Sequence, residues 1–204
     1  MTKETWEELR ARKTAIREKA HENRKAQLNK DELSREIMQK FFALPEYQSA
    51  KTVLFYVDVR TEVRTRNDLA EALTHGKRII VPYCVDDILN LFLLEGMDEL
   101  AIGMYKILEP KPELRDAPGK RVPVAECDLI MVPGVAFDRT GARMGHGKGY
   151  YDKLLEHARK ETPLVALAFE CQLFPELPTA PHDVFMDKII TEAAIYERKG
   201  GGQS

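Results

Sequence analysis

The spacing of apolar positions changes several times along the chain, and each change marks an element. From about Thr5 to Ala26 helix formers dominate, with Trp6, Leu9, Ile16 and Ala20 placing an incomplete apolar stripe on one helix. Asn29, with Glu32 three residues later, reads as a capping box that opens a second helix. Leu33, Ile37, Phe41 and Leu44 form that helix's apolar face. Thr52–Val57 has the length and apolar density of a buried strand. A helix over about Asn67–Thr74 follows, ending at Gly76, which suits the position just past a helix terminus. Arg78–Val81 is a second strand stopped by Pro82, and Leu89–Leu94 a third. The run Leu129–Val132 ends at Pro133-Gly134 as a buried strand does, and helical spacing returns at Tyr151, Leu154, Leu155 and Ala158. Leu164–Phe169 and then Ile189–Ile195 predict the closing strands.

Two strand–helix–strand units are visible in this order, 52–57 through 67–74 to 78–81, and 129–132 through the helix after Gly149 to 164–169. Such alternation predicts a layered α/β domain, with a mainly parallel central sheet and helices on both faces. Pro110–Val124 carries four prolines and reads as a surface loop rather than a linker. Residues 1–198 are therefore expected to form one domain, with Lys199–Ser204 as a frayed tail.

Composition removes some functions without naming one. Apolar residues make up 44% and charged residues 31%, as in soluble globular proteins, and the net charge of −2 offers no global field for nucleic acid or membrane. Residues 1–30 hold nine Lys/Arg against five Asp/Glu, a surplus of four that suits either an anionic nucleotide or a solvated helix face. Cys84, Cys127 and Cys171 are scattered and lack metal-ligand spacing, so reduced thiols and a cytoplasmic location are expected. No apolar signal core or membrane-length run is present. Serine occurs only at 34, 49 and 204, and no G-x-S-x-G exists, which excludes a serine-hydrolase elbow.

The chemistry concentrates after the strand 129–132. Glycines alternate at 145, 147 and 149, with Arg143, His146 and Lys148 before and between them, and a helix start follows. Backbone N–H groups freed from Cβ crowding, together with the positive end of a helix, make a cradle for phosphate. The spacing is not that of a P-loop, because the residue five before Gly147 is Ala142 and Gly149 follows Lys148. It is not a dinucleotide fingerprint either: the third glycine comes one residue early and the loop lies late in the chain. A tight strand–helix turn with solvated basic residues has the same local pattern.

The extended pattern from Val132 to Asp152, V-P-G-V-A-F-D-x-x-G-x-R-M-G-x-G-K-G-Y-Y-D, resembles the signature of 5-formyltetrahydrofolate cyclo-ligases, also called methenyltetrahydrofolate synthetases. Lys13-Thr-Ala-Ile16-Arg17 is similar to the family's K-x-x-L-R, with Ile replacing Leu. Phe55-Tyr56-Val57 with Glu62-Val63, Glu109-Pro110, and Asp187 to Glu192 match further elements in the family's order. The glycine stretch is the specific part, and the others are weak alone.

The resemblance implies a fold related to sugar-phosphate isomerases and CoA transferases, and the ATP-dependent closure of 5-formyltetrahydrofolate to 5,10-methenyltetrahydrofolate. It implies ATP binding by Lys13, Arg17, Arg143, Met144, Gly145, His146, Gly147, Lys148, Gly149, Tyr150 and Tyr151. Lys148, Arg143 and Tyr151 would carry catalysis; the family varies the position of His146, whose ring receives no chemistry of its own. Val57, Glu62, Lys148, Gly149 and Tyr150 would line the folate site, with Glu62 accepting hydrogen bonds from pterin N–H groups. Asp152 and Asp187 would hold Mg²⁺. Tyr150 and Tyr151 are adjacent, and so about 100° apart on a helix, which predicts that one is core and the other faces the site. Folate, possessing or lacking a polyglutamate tail, and ATP are the expected partners of a monomer. Two other readings share the residues: a binding paralogue without turnover, and an isomerase or transferase of sugar phosphates.

Overall fold

A computed structural model describes residues 5–103, 107–180 and 183–198; the predicted tail lies outside them. Helix α1 (Trp6–Ala26) opens at a capping box, in which Thr5 Oγ1 accepts from the Glu8 N–H at 3.2 Å and the Glu8 carboxylate accepts from the Thr5 N–H at 2.8 Å. Of the apolar stripe expected, Ala20 is buried with Ile16 packed beside it and Leu9 is half-buried, but Trp6 is 73% exposed; beside them Arg24 is buried and Lys13 and Arg17 are half-buried. Lys13, Arg17, Ala20 and Arg24 recur at helical spacing, so α1 presents a basic seam to the rest of the molecule.

The capping box expected at Asn29 is absent, because that residue adopts a left-handed backbone (φ 54°) and its side chain makes no cap bond. Side-chain capping requires an extended N-cap; Asn29 instead uses its tolerance of positive φ to reverse the chain into α2 (Lys30–Phe42).

The central sheet draws on β1 (Thr52–Leu54), β2 (Arg78–Val85), β3 (Ile88–Leu94), β6 (Leu129–Val132), β9 (Leu164–Leu167), β11 (Lys188–Ile190) and β12 (Ile195–Glu197). Their order is β12-β11-β9-β6-β1-β2-β3, with the inner five parallel and the two edge strands antiparallel. Side chains alternate between two cores. Val53, Ile79, Val81, Leu129 and Met131 pack with α2, α3 (Pro45–Ser49) and α4 (Leu69–Thr74). Leu54, Ile80, Ile130 and Val132 face the other way, toward Leu155 of α5 (Tyr150–Leu155). The mainly parallel sheet with helices on both faces is thus present.

Strand β2 runs through Pro82, where the sequence predicted a stop. The N–H of Leu93 and the carbonyl of Leu91 both point away from β2, to Lys120 and Val122, so the facing pair Pro82–Leu91 exchanges no ladder bond. Pro82 N therefore points to the side of β1, whose pairing has ended at Leu54–Ile80, and its lack of N–H costs nothing. The hairpin turns on Asp86 and Asp87, both at positive φ (49° and 57°), a two-residue turn the sequence reading did not resolve.

The connection from β6 to α5 is also richer than a loop. A hairpin of β7 (Ala136–Asp138) and β8 (Arg143–Met144) is inserted, and β10 (Leu173–Phe174) pairs with β7. A short ribbon of β4 (Leu100–Ile102) and β5 (Leu108–Pro110) stands beside β2.

Candidate active site

The parallel strands β1 and β6 end side by side, and the chain leaving each one carries the site. After β6, three groups grip the turn: Arg143 donates to the Pro133 carbonyl (3.2 Å), Arg24 to the Gly134 carbonyl (3.3 Å), and Gln172 to those of Gly134 (3.2 Å) and Val135 (2.9 Å). A Cβ at Gly134 would meet the Phe137 ring at 2.3 Å, so any larger residue in this turn would displace that buried ring. The ribbon β7–β8 then returns the chain to the glycine loop. Gly147 (φ 93°) lies against the Arg17 guanidinium, and Gly149 (φ 69°) precedes the first turn of α5.

Two clefts flank this loop. The first, of about 230 Å³, is lined by Lys13, Arg17, Arg143, the glycine backbone, Asp152 and Asp183. The second, of about 630 Å³, is lined by Val57, Glu62, Tyr83, Leu89, Ile107 and their neighbours. Pro133, His146, Lys148, Tyr150 and Tyr151 border both. The sequence-predicted ATP set thus gathers in one cleft and Val57 with Glu62 in the other, with Lys148 between them.

The cations of the first cleft have internal partners. Lys13 pairs with Asp183 at 3.1 Å, Arg17 Nε donates to the Gly145 carbonyl at 2.9 Å, and Arg143 pairs with Asp152. The Arg143 side chain is only 4% exposed, and its Nε has no hydrogen-bond partner among the described residues. Burial pulls its pKa down, opposed by the Asp152 charge, but a guanidinium stays cationic at neutral pH.

Glu62 is the charged group buried at the second cleft. Its Oε2 accepts from the Val59 N–H at 3.0 Å, while Oε1 meets His146 Nε2 at 3.1 Å and the Arg24 guanidinium at 4.0 Å. Of the two tyrosines, Tyr151 is the core one, while Tyr150 belongs to neither core and faces the site; Tyr151 borders the clefts as well. Tyr150 is tied by its hydroxyl to Asp87 at 2.6 Å, and Lys148 Nζ stands 5.5 Å from its ring centre. Tyr151 packs on both apolar cores, yet its hydroxyl is buried without a partner among the described residues. Burial, and then the Glu62 charge, raises its phenol pKa, so it keeps its proton as a donor.

The expected metal pair does not come together. Asp187 lies at the start of β11, where its carboxylate accepts from the Leu164 N–H at 2.8 Å, at the amino ends of the strands and outside both clefts. Asp152 is in the first cleft and 52% exposed. Among the described residues no cluster of three or more His, Cys, Asp or Glu is arranged for a metal. Mg²⁺ takes most of its oxygens from water and phosphate and needs one or two carboxylates. Asp152 fits that demand and Asp187 does not.

Arg24, Asp87 and Asp183 enter the site without having been singled out in the sequence. Arg24 carried a signal, seven residues after Arg17 on the same helical stripe; the two aspartates carried none.

The family model described as the 5-formyltetrahydrofolate cyclo-ligase family matches residues 3–192. The chain is 34% identical to the 5-formyltetrahydrofolate cyclo-ligase of Mycolicibacterium smegmatis, over 70% of this chain and 74% of that one. To the enzyme of the same name from Escherichia coli K12 it is 29% identical, covering 81% and 91%. Its fold matches the solved structure of Aquifex aeolicus 5,10-methenyltetrahydrofolate synthetase with a TM-score of 0.80 at 31% identity, covering 93% and 94%. With the glycine loop, its flanking clefts and these relatives in agreement, the chain belongs to the 5-formyltetrahydrofolate cyclo-ligase family.

Proposed function

We propose that this chain uses ATP to cyclise 5-formyltetrahydrofolate to 5,10-methenyltetrahydrofolate, releasing ADP and phosphate. The observation that carries the reading is the wall shared by the two clefts, where Lys148 and Tyr151 stand between a basic, glycine-lined side and a mainly apolar side with one buried carboxylate.

A formamide oxygen is a poor leaving group. Its lone pair attacks the γ-phosphorus of ATP, the bond to the β,γ-bridging oxygen breaks, and ADP leaves with that electron pair. The N5-iminium phosphate so formed is attacked at carbon by N10, which loses its proton. The C–O bond then breaks toward oxygen, phosphate departs and the amidinium ring is closed. Phosphoryl transfer of this kind needs positioning and charge compensation more than covalent help.

The residues supply both. Arg17 holds the loop through the Gly145 carbonyl, and Lys13 and Arg143 offer cations whose carboxylate partners a polyphosphate displaces. Lys148, exposed and with its Nζ 3.5 Å from the Tyr150 hydroxyl, reaches phosphoryl oxygens as charge moves onto the departing ADP. Tyr151 offers at the same wall an O–H that has no partner among the described residues. Asp152 would hold Mg²⁺, which neutralises phosphate charge. Glu62 accepts from pterin N–H groups while Val57 and Tyr150 supply flat apolar contact.

The test is direct: the purified chain, given ATP, Mg²⁺ and 5-formyltetrahydrofolate, is expected to generate the near-ultraviolet absorbance of the methenyl product. Tight binding of both ligands without that absorbance would instead establish a binding protein.

A further inference from the structure

Glu62 faces the second cleft from a loop rather than from a strand or helix, and a carboxylate on a loop needs support to hold one direction. Part of that support is local. Asp58, fully buried, accepts from the Thr65 N–H (3.1 Å) and the Arg66 N–H (2.9 Å) and pairs with the Arg66 guanidinium, closing residues 58–66 into a fixed turn. The rest comes from α1. Arg24 is 1% exposed, its Nε donates to Thr61 Oγ1 at 2.9 Å, its Nη1 donates to the Gly134 carbonyl, and the same Nη1 stands 4.0 Å from Glu62 Oε1.

We propose that Arg24 is a positioning residue for folate recognition: it aims the Glu62 carboxylate and ties it to the Gly134 turn, which opens the ribbon leading to the phosphate loop. The inference rests on the cyclo-ligase reading, in which Glu62 contacts the pterin, but it concerns a residue that touches neither substrate. A buried cation without a counter-ion would be costly, and Arg24 meets one carboxylate. Its remaining bonds, to Thr61 on one side and Gly134 on the other, span the two segments that must stay in register. Arg24 lies on the seam of α1 that also carries Lys13 and Arg17, so one helix supports both clefts. Lysine cannot replace it, because a single ammonium on a shorter reach cannot serve Thr61, Gly134 and Glu62 together.

A double-mutant cycle on the full chain tests this, with calorimetric Kd for 5-formyltetrahydrofolate and KM for ATP as readouts. Arg24→Lys is expected to weaken folate binding by about tenfold or more in the wild-type background. In the Glu62→Gln background, where there is no carboxylate to aim, it is expected to cost less than about twofold, and ATP KM should stay within about twofold in both. An equal loss of folate affinity in both backgrounds, or a parallel rise in ATP KM, overturns the proposal and makes Arg24 a general stabiliser. If Arg24→Lys does not fold, Thr61→Val, which releases the guanidinium from one side, carries the same cycle with the same two outcomes. Failure of the cyclo-ligase reading is seen separately, as a wild-type chain that does not form the methenyl product.

Discussion

The two clefts that meet at Lys148 are prepared for their ligands in opposite ways. In the phosphate cleft nearly every charge has a temporary partner: Lys13 rests on Asp183, Arg143 on Asp152, and Arg17 on a backbone carbonyl. In the larger cleft the walls are mainly strand ends and ring faces, and the charges set behind them are held within the protein, Glu62 by backbone and arginine and Glu109 by Arg115 at 3.1 Å. Polyphosphate brings its own charge, so it can take over cations from carboxylates and keep the sum of interactions nearly constant. A pterin brings little charge and must find a ready surface. On the proposed reading, binding in the first cleft is an exchange of partners, and in the second it is complementarity to a surface already formed.

That contrast can be broken most forcefully at Lys148, one of the residues common to both sides. Lys148→Met keeps the unbranched stem and removes the ammonium, which is exposed, so the loop should survive. If Lys148 serves the moving phosphoryl group, kcat should fall by at least about 100-fold with folate affinity unchanged. Stopped-flow turnover and calorimetry on the folded variant measure this, and a kcat within about threefold of wild type would leave the glycine backbone and the metal as the phosphate's stabilisers.

The second cleft is probed alone by Glu62→Gln, which replaces one acceptor oxygen with a donor facing the same pterin N–H groups. Folate KM should rise about tenfold or more while ATP KM barely moves, since a buried unpaired group costs on the order of 1–3 kcal/mol. Equal effects on both constants would mean that the clefts are not the separate compartments described here.

A smaller effect sharpens the picture of the first cleft by setting two aspartates against each other. Asp152→Ala should reduce activity most at low Mg²⁺, with partial recovery when the metal is raised. Asp187→Ala should leave the Mg²⁺ dependence unchanged and instead remove the acceptor for Leu164 N–H. That loss is worth about 1 kcal/mol, or a fall in Tm of roughly 2–4 °C for a chain of this size. Metal titrations and thermal melts on the pair distinguish the roles, and a shifted Mg²⁺ optimum in the Asp187 variant would return it to the site.

How much of this was legible beforehand depends on whether the signal was local. Strand 129–132, the helix before Gly76 and the parallel pairing of β1 with β2 and of β6 with β9 follow from apolar runs and their punctuation, and these are present as read. Pro82 and Asn29 misled because each residue's usual meaning was overridden by its neighbours. Whether a proline ends a strand depends on which side its nitrogen faces, and whether an asparagine caps a helix depends on its backbone angle. The ribbon β7–β8 is two short pairs without a periodic signature. At the site, the glycine loop and the pair Lys13 and Arg17 are encoded in adjacent residues. Asp183 and Asp87 reach it only through the tertiary fold, from 170 and 63 positions away in sequence from their partners. Asp187 was carried onto the metal by family pattern alone, and its hydrogen bond to Leu164 shows what that pattern could not contain.

The central claim is that the two clefts are joined so that the formyl oxygen of one ligand meets the terminal phosphate of the other at the wall of Lys148 and Tyr151. Turnover of 5-formyltetrahydrofolate carrying a heavy-isotope label in its formyl oxygen, followed by mass spectrometry of the released phosphate, tests that meeting directly. The account predicts that the label appears in inorganic phosphate, one labelled oxygen for each methenyl product formed. Unlabelled phosphate, with the heavy oxygen recovered in water, would mean that ATP is hydrolysed apart from the formyl group, and would contradict it.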